Sequence, residues 1–217
     1  MWPFPLALPV FFSLSLAFMI VLLQPGWVAA AETADVDVGL YALGAFPSDQ
    51  GLFAQRGNPS DSRIANGAGA GIKASVFPHG LGNIVGIGLE TFGHGSEISF
   101  SSPVNAGSAA STNIWVFSTM LNLTLRYPGN AFVPYIGVGG GYSSGVLSHA
   151  DIPGRSDRDF EGSWAFGSQF FGGLQGNVTE KVFLFSEYKY FSANYHWQQL
   201  ALDFRSQYFL FGIGLRF

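Results

Sequence analysis

The chain has 217 residues, of which 48% are hydrophobic and only 11% are charged, with 29 glycines and no cysteine. Charged residues make up about 25% of an average soluble domain, so this composition argues against an ordinary soluble enzyme. The net charge of -4 provides no basic surface for nucleic acid. The absence of cysteine excludes disulfide bonds, thiolate metal sites and a cysteine nucleophile.

The N-terminal segment predicts a cleaved signal peptide over residues 1–31. No charged residue precedes Glu32, and the apolar core 10–23 is followed by small residues that favour cleavage after Ala30 or Ala31. This core is shorter than the roughly 20 residues of a membrane-spanning helix and suits a signal sequence. A retained N-terminal anchor helix is the alternative, which three prolines before the core disfavour. The remaining segment, 32–217, forms the mature domain.

Alternation of apolar and polar residues predicts the fold of that domain. Beyond residue 31 no apolar run is long enough for a spanning helix, and the alternative that a bilayer permits is a closed β-barrel. Eight segments show the two-residue alternation of barrel strands: 36–46, 67–77, 84–92, 114–127, 133–143, 163–175, 182–191 and 207–217. We therefore expect an all-β fold, an eight-stranded antiparallel up-and-down transmembrane β-barrel.

The positions of the charges favour a membrane barrel over a soluble β-sandwich. A charge on the lipid-facing side near mid-membrane costs about 2 to 4 kcal/mol. The strand charges all have the parity opposite to the large apolar side chains: Asp37, Lys73, Glu90, Arg126, Glu187, Lys189 and Arg216. The charge-bearing parity is otherwise rich in glycine, and we expect it to hold few bulky apolar residues. Such a face would not form a sandwich core.

The connections between the segments alternate in length along the chain. Those at 47–66, 93–113, 144–162 and 192–206 are long, whereas those at 78–83, 128–132 and 176–181 are short. Outer-membrane barrels combine long surface loops with short periplasmic turns. The pattern predicts four extracellular loops, with both chain termini on the periplasmic side.

Three sequence segments resemble a known family. The C-terminal residues FLFGIGLRF are similar to the signal that outer-membrane barrels present to their assembly machinery; its outward residues are Phe209, Phe211, Ile213, Leu215 and Phe217. The segments VPYIGVGGGYSSG and GGLQGNVTEKVFLFSEYKYFS resemble the small eight-stranded outer-membrane barrels, which include OmpA-barrel-like and opacity-like surface proteins. The resemblance implies export to the outer membrane of a Gram-negative bacterium. It also implies outer-membrane lipids, lipopolysaccharide and the barrel-assembly machinery as partners, with an extracellular ligand of the loops as a further one.

The charged residues of the barrel interior form the candidate site. An eight-stranded lumen is just wide enough for side chains to fill it. Six residues converge there: Lys73, Glu90, Arg126, Glu187, Lys189 and Arg216. A gated ion path is one interpretation, and we favour a network of paired charges that closes the barrel, because an unpaired buried charge is costly.

Two further activities remain as alternatives to a structural or surface-interaction role. The family also includes narrow pores and lipid A-modifying enzymes, deacylase-like or oxidase-like. A deacylase needs a His-x-Ser pair, but the residue two before Ser192 is Tyr190, and His196 follows only later. The carboxylates of loop 144–162 suit calcium chemically, yet neighbouring arginines neutralise them. We therefore predict no catalytic residue, cofactor or metal site.

Overall fold

The computed structural model describes residues 33–48, 52–54, 62–100, 110–129, 131–148, 160–197 and 200–217. The predicted signal peptide, 1–31, lies outside these residues, and the description begins at Thr33 within the predicted mature domain. These ranges contain ten strands: β1 (Ala34–Pro47), β2 (Leu52–Ala54), β3 (Ser62–Ile64), β4 (Gly67–Pro78), β5 (Val85–Phe100), β6 (Ala110–Arg126), β7 (Phe132–Ser148), β8 (Phe160–Asn177), β9 (Val182–His196) and β10 (Leu200–Arg216).

Eight of these strands close into an antiparallel barrel. Neighbours in the sheet follow the order β1, β4, β5, β6, β7, β8, β9 and β10, and β10 pairs with β1 to complete the circle. The short strands β2 and β3 add to the ends of β10 and β5. The predicted eight-stranded antiparallel barrel is therefore confirmed. Within the described ranges, no helix has the length and apolar character needed to cross a membrane.

Side chains alternate between the two faces of the wall, as the sequence pattern predicts. On β6, Trp115, Leu121 and Leu125 are exposed on the outside, whereas Asn122 and Arg126 are buried on the inside. On β8 the outward apolar residues extend from position 164 to position 174. At about 3.3 Å per residue and a tilt near 40°, this band is about 25 Å tall, which matches the apolar height of outer-membrane barrels.

The strands extend well beyond the boundaries that the sequence pattern predicts at the long-loop end. β5 continues to Phe100, β9 continues to His196, and β10 already begins at Leu200. In these extensions the alternation persists with its polarity reversed: on β10, Arg205 is exposed on the outside and Phe204 is fully buried inside. The predicted connections 93–113 and 144–162 are thus shorter than expected, and the 192–206 connection is almost entirely strand.

The sequence analysis expects few bulky apolar residues on the inward face of the strands. That expectation is wrong, because many such residues lie in the barrel interior. Large aromatic side chains occupy the lumen, including Phe92, Phe185, Phe191 and Tyr208. Inward glycines of neighbouring strands provide their space: Gly212 pairs directly with Phe185, whose ring would collide with any Cβ at that position. Glycine and aromatic residues therefore pack as complementary pairs across the strands.

Candidate functional site

Four charged residues meet at the centre of the barrel. Lys73 on β4 forms an ion pair with Glu187 on β9, with 2.8 Å between Nζ and Oε2. Lys189, two residues further along β9, forms an ion pair with Glu90 on β5 and lies 3.5 Å from Oε1 of Glu187. Because the two cations and two anions alternate in space, this central cluster has no net formal charge.

Neutral polar side chains complete the coordination of the central carboxylates. The Tyr41 hydroxyl donates to Oε1 of Glu90 at 2.5 Å, and the side-chain amides of Asn122 and Gln169 donate to Oε2 at 3.0 and 2.8 Å. Together with Lys189, four donors therefore surround one carboxylate that is only 1% exposed. A buried charge needs such partners to offset its desolvation.

A second cluster lies at the end of the barrel where the short turns are. Arg126 binds Asp35 at 2.6 Å and Asp37 at 3.1 Å, while Arg216 binds the same Asp37 through Nε at 2.7 Å and Nη2 at 2.9 Å. His79 contacts Asp35 at 3.0 Å on the exposed side. Asp37 therefore links β1 to both β6 and β10, and it fastens the first barrel strand to the last.

A small cavity lies between the two clusters, and a layer of aromatic rings lies on the other side of the central one. The cavity has a volume of about 50 Å³ and is lined by residues of both clusters, including Lys73 and Arg126. This is enough space for a few water molecules. Beyond the central cluster, Phe92 packs edge-on against Phe191 and Tyr208. Buried side chains therefore fill the lumen at the levels of the central cluster and the aromatic layer.

The structure places all six charged residues of the sequence prediction inside the barrel, but in two clusters rather than one. Arg126 and Arg216 belong to the turn-end cluster, and the other four belong to the central cluster. The sequence analysis assigns Asp37 to the inward parity but leaves it out of the candidate site. It misses the other partners of these charges: Asp35, Tyr41, Asn122, Tyr135 and Gln169. Their inward parity is a signal for an interior position, although it does not identify which charge each of them contacts.

The residues of the enzymatic alternative do not come together. Ser192 and His196 lie on the outward face of β9, four residues apart, and hence about 13 Å apart along an extended strand. That separation is too large for a serine activated by an imidazole. His94 is buried on the inside, where its Nε2 lies 2.9 Å from the Tyr208 hydroxyl.

Metal-ligating groups do not cluster in the part of the chain that the structure describes: no three His, Cys, Asp or Glu side chains there are arranged to hold an ion. Of the loop carboxylates noted in the sequence, Asp151, Asp157 and Asp159 lie outside the described residues. Glu161 lies within β8. The interior carboxylates instead contact lysine, arginine and hydrogen-bond donors.

The outward residues of the C-terminal strand form one exposed apolar row. Phe209, Phe211, Ile213, Leu215 and Phe217 are each about half exposed along β10 and the residue that follows it. The row faces away from the barrel interior, where lipid or an assembly factor could contact it. Its role as an assembly signal stays a prediction.

A closed antiparallel barrel with an apolar outer band of membrane height and a filled, charged interior defines a transmembrane barrel of the outer-membrane type. The model of the outer membrane protein beta-barrel domain matches residues 14–217, so the chain belongs to this family, which places it in the outer membrane. No curated protein matches the chain significantly.

Solved structures of other outer-membrane barrels are similar to this fold. Neisserial surface protein A, from Neisseria, is 16% identical with a TM-score of 0.54, and the match covers 84% of this chain and 97% of that protein. OprG from Pseudomonas aeruginosa is 14% identical with a TM-score of 0.57, covering 85% and 96%. At these identities the similarity concerns the fold alone.

Proposed function

We propose that this protein is a structural, surface-presenting barrel of the outer membrane that does not conduct ions. The observation that supports this proposal is the filling of the lumen by buried side chains. The central ion pairs and the aromatic layer formed by Phe92, Phe191 and Tyr208 occupy the barrel cross-section with buried side chains. The cavity of about 50 Å³ on the other side is lined by the central cluster, including Lys73, Glu90 and Glu187.

The structural role follows from the way in which the interior side chains connect distant strands. Lys73 and Glu187 join β4 to β9, and Lys189 and Glu90 join β9 to β5, across the lumen rather than along the wall. Such cross-lumen pairs restrain the barrel from inside. A rigid barrel then presents the connections at its long-loop end outside the cell, where they would contact an extracellular ligand.

Export follows as part of the same proposal. The N-terminal apolar segment would direct the chain across the inner membrane and be removed, and the barrel would reach the outer membrane through the periplasm. N-terminal sequencing of the protein from the outer-membrane fraction tests this step: a start near Glu32 is expected, and retention of Met1 would contradict it.

Planar-bilayer recording tests the closed lumen. The refolded wild-type barrel, verified by its heat-modifiable gel mobility, should give no discrete conductance steps. The variant Glu187→Ala should lower the free energy of unfolding while still giving no steps, because the aromatic layer remains. Regular conductance steps from the folded wild type would overturn the proposal and favour a narrow pore.

Mass spectrometry of lipid A separates this proposal from the enzymatic alternative. Lipid A from cells with and without the protein should have the same mass profile. A loss of acyl chains or a gain of oxygen that depends on the protein would contradict a purely structural role.

A further inference from the structure

A buried histidine joins two strands that are not neighbours in the barrel wall. The His94 side chain on β5 is 1% exposed, and its Nε2 lies 2.9 Å from the hydroxyl of Tyr208 on β10. Its Nδ1 lies 3.4 Å from the Ser96 hydroxyl, and the ring stacks on Phe204. We call these four residues the His94 clasp. Because β1 and β4 lie between β10 and β5, the clasp spans the inside of the ladder that β1 and β4 form.

The His94 clasp lies at the row where β1 and β4 stop pairing with each other. Tyr208 pairs with Ala45, and Ala45 pairs with Gly67 in the last pair of the β1–β4 ladder. A Cβ at Gly67 would collide with the Ser96 hydroxyl, so this glycine leaves room for the clasp. Further towards the long-loop end, β2 and β3 contact the barrel through only three residue pairs each within the described residues. Such short ladders open more easily than the long ladders of the membrane band.

The interior beside these short ladders is apolar. Ile64 on β3, Ile98 on β5, and Leu202 and Phe204 on β10 are each at most 5% exposed and belong to one core. If β2 and β3 separated from the barrel, these side chains would come into contact with water at the long-loop end. The position of the short ladders therefore decides whether this apolar surface is hidden or exposed.

The surroundings of His94 stabilise a neutral imidazole and oppose a charged one. A neutral ring has one donor nitrogen and one acceptor nitrogen, and the hydroxyls of Tyr208 and Ser96 can satisfy both at once. Among the described residues, no ion pair includes His94. A proton added to the ring would therefore create a buried cation without a counter-charge, which is costly.

The other titratable groups that face this part of the interior supply no counter-charge. Tyr208 on β10 and Tyr195 on β9 are buried, and tyrosine stays neutral in acid because its ordinary pKa is about 10. Glu90 on β5 and Lys189 on β9 form an ion pair with each other. The inner faces of β1, β4 and β6 present uncharged residues at this level: Ala45, Gly69 and Val116.

We propose that the His94 clasp is an acid-sensitive switch that opens the long-loop end of the barrel. In acid, β2, β3 and the start of β10 separate from the wall, His94 reaches water and takes up a proton, and the apolar core beside it becomes exposed. A histidine in water has a pKa of about 6.5, so below that pH the opening equilibrium constant should rise by up to about tenfold per pH unit. This inference goes beyond the proposed function, since a barrel without the switch would still be structural and closed to ions.

Hydrogen–deuterium exchange of the folded barrel in detergent micelles, followed by mass spectrometry, tests the inference. Protection factors, corrected for the pH dependence of exchange in unfolded peptides, give the opening equilibrium constant of each segment. From about pH 6.0 to about pH 5.0, peptides that cover β2, β3 and residues 200–206 should lose about tenfold in protection. Peptides from the centre of β7 should change less than about threefold, because carboxylates take up protons mainly near pH 4 and below.

Three variants separate the titration of His94 from its packing. His94→Gln keeps hydrogen-bonding groups at this position but does not titrate, so its protection should change less than about twofold over the same pH step. His196→Gln is the matched control, because this histidine is exposed on the outer face of β9, and it should keep the tenfold loss. Tyr208→Phe removes a partner of His94 and should increase opening at every pH while keeping the same pH dependence.

Three outcomes would overturn the inference. Unchanged protection of these segments in the wild type over this pH step would do so even if His94→Gln failed to fold. An equal loss of protection in wild type and His94→Gln would assign the response to another group. An equal loss in β7 would indicate acid unfolding of the whole barrel. Because none of these measurements concerns conductance, failure here leaves the proposed function intact, and the reverse also holds.

Discussion

The ion pair between Glu90 and Lys189 provides the sharpest test of the barrel interior. Both side chains are 1% exposed, and the carboxylate accepts hydrogen bonds from four donors. Removing one member of a buried pair leaves the other charge without compensation, which costs about 3–5 kcal/mol, whereas replacing both members can be nearly neutral. We therefore expect Glu90→Gln and Lys189→Met each to destabilise the barrel by about 3–5 kcal/mol.

The double variant Glu90→Gln with Lys189→Met should cost less than either single change, since no uncompensated charge remains at that position. The measurement is urea unfolding of the barrel in micelles or lipid vesicles, followed by tryptophan fluorescence and by the heat-modifiable gel band. Glu97→Gln on the exposed outer face is the control and should stay within about 0.5 kcal/mol of wild type.

Additive single effects would refute the reasoning. If the cost of the double variant equalled the sum of the two single costs, then Glu90 and Lys189 would not act as a pair. If each single variant lowered the free energy of unfolding by less than about 1 kcal/mol, water in the interior would be screening the charges of Glu90 and Lys189.

Three further predictions concern the remaining features of the barrel. Gly212→Val should destabilise it by about 1–3 kcal/mol in urea unfolding, because the new side chain would occupy the space of an aromatic ring. Asp37→Asn should cost about 3 kcal/mol and lower the temperature at which the gel band shifts, because two arginines lose their shared carboxylate. Phe217→Asp should reduce the amount of folded protein in the outer membrane of expressing cells without changing the unfolding midpoint of the purified barrel.

Each of these predictions has a control. Gly172→Ala adds a Cβ in ordinary contact distance of its neighbours on the outer face and should be tolerated, so equal costs for Gly172 and Gly212 would contradict the packing argument. Asp203→Asn removes an exposed partner and should leave the gel-shift temperature unchanged. Wild-type levels of Phe217→Asp in the outer membrane would dismiss the C-terminal strand as an assembly signal.

Strand parity within the membrane band could be predicted from the sequence because the bilayer imposes a simple rule. Every second side chain there must be apolar, and a charge such as Glu187 or Lys189 fixes the inward parity even within an aromatic run. The central charges were identified in this way. The neutral partners of these charges could not be identified from the sequence, because the local pattern does not distinguish Gln169, which binds Glu90, from any other inward polar residue.

The projecting part of the barrel could not be predicted by the same rule. Outside the bilayer the solvent is water on the outer face, so the pattern reverses and Phe204 points inward while Arg205 points outward. A search for strands with apolar outer faces therefore ends at the position where the outward residues change from apolar to polar. The aromatic interior was missed for the same reason, since part of it belongs to this reversed region.

The pairing of inward glycines with aromatic rings has a consequence for how strands find their register. A slip of two residues between β9 and β10 would keep every side chain on its proper face, so the inside-outside pattern cannot prevent it. The glycine pairs can: Phe183 and Phe185 now lie opposite Gly214 and Gly212, and a two-residue slip would place one of the rings against Arg216 or Leu210. The packing of the interior therefore helps to specify the register of β9 against β10.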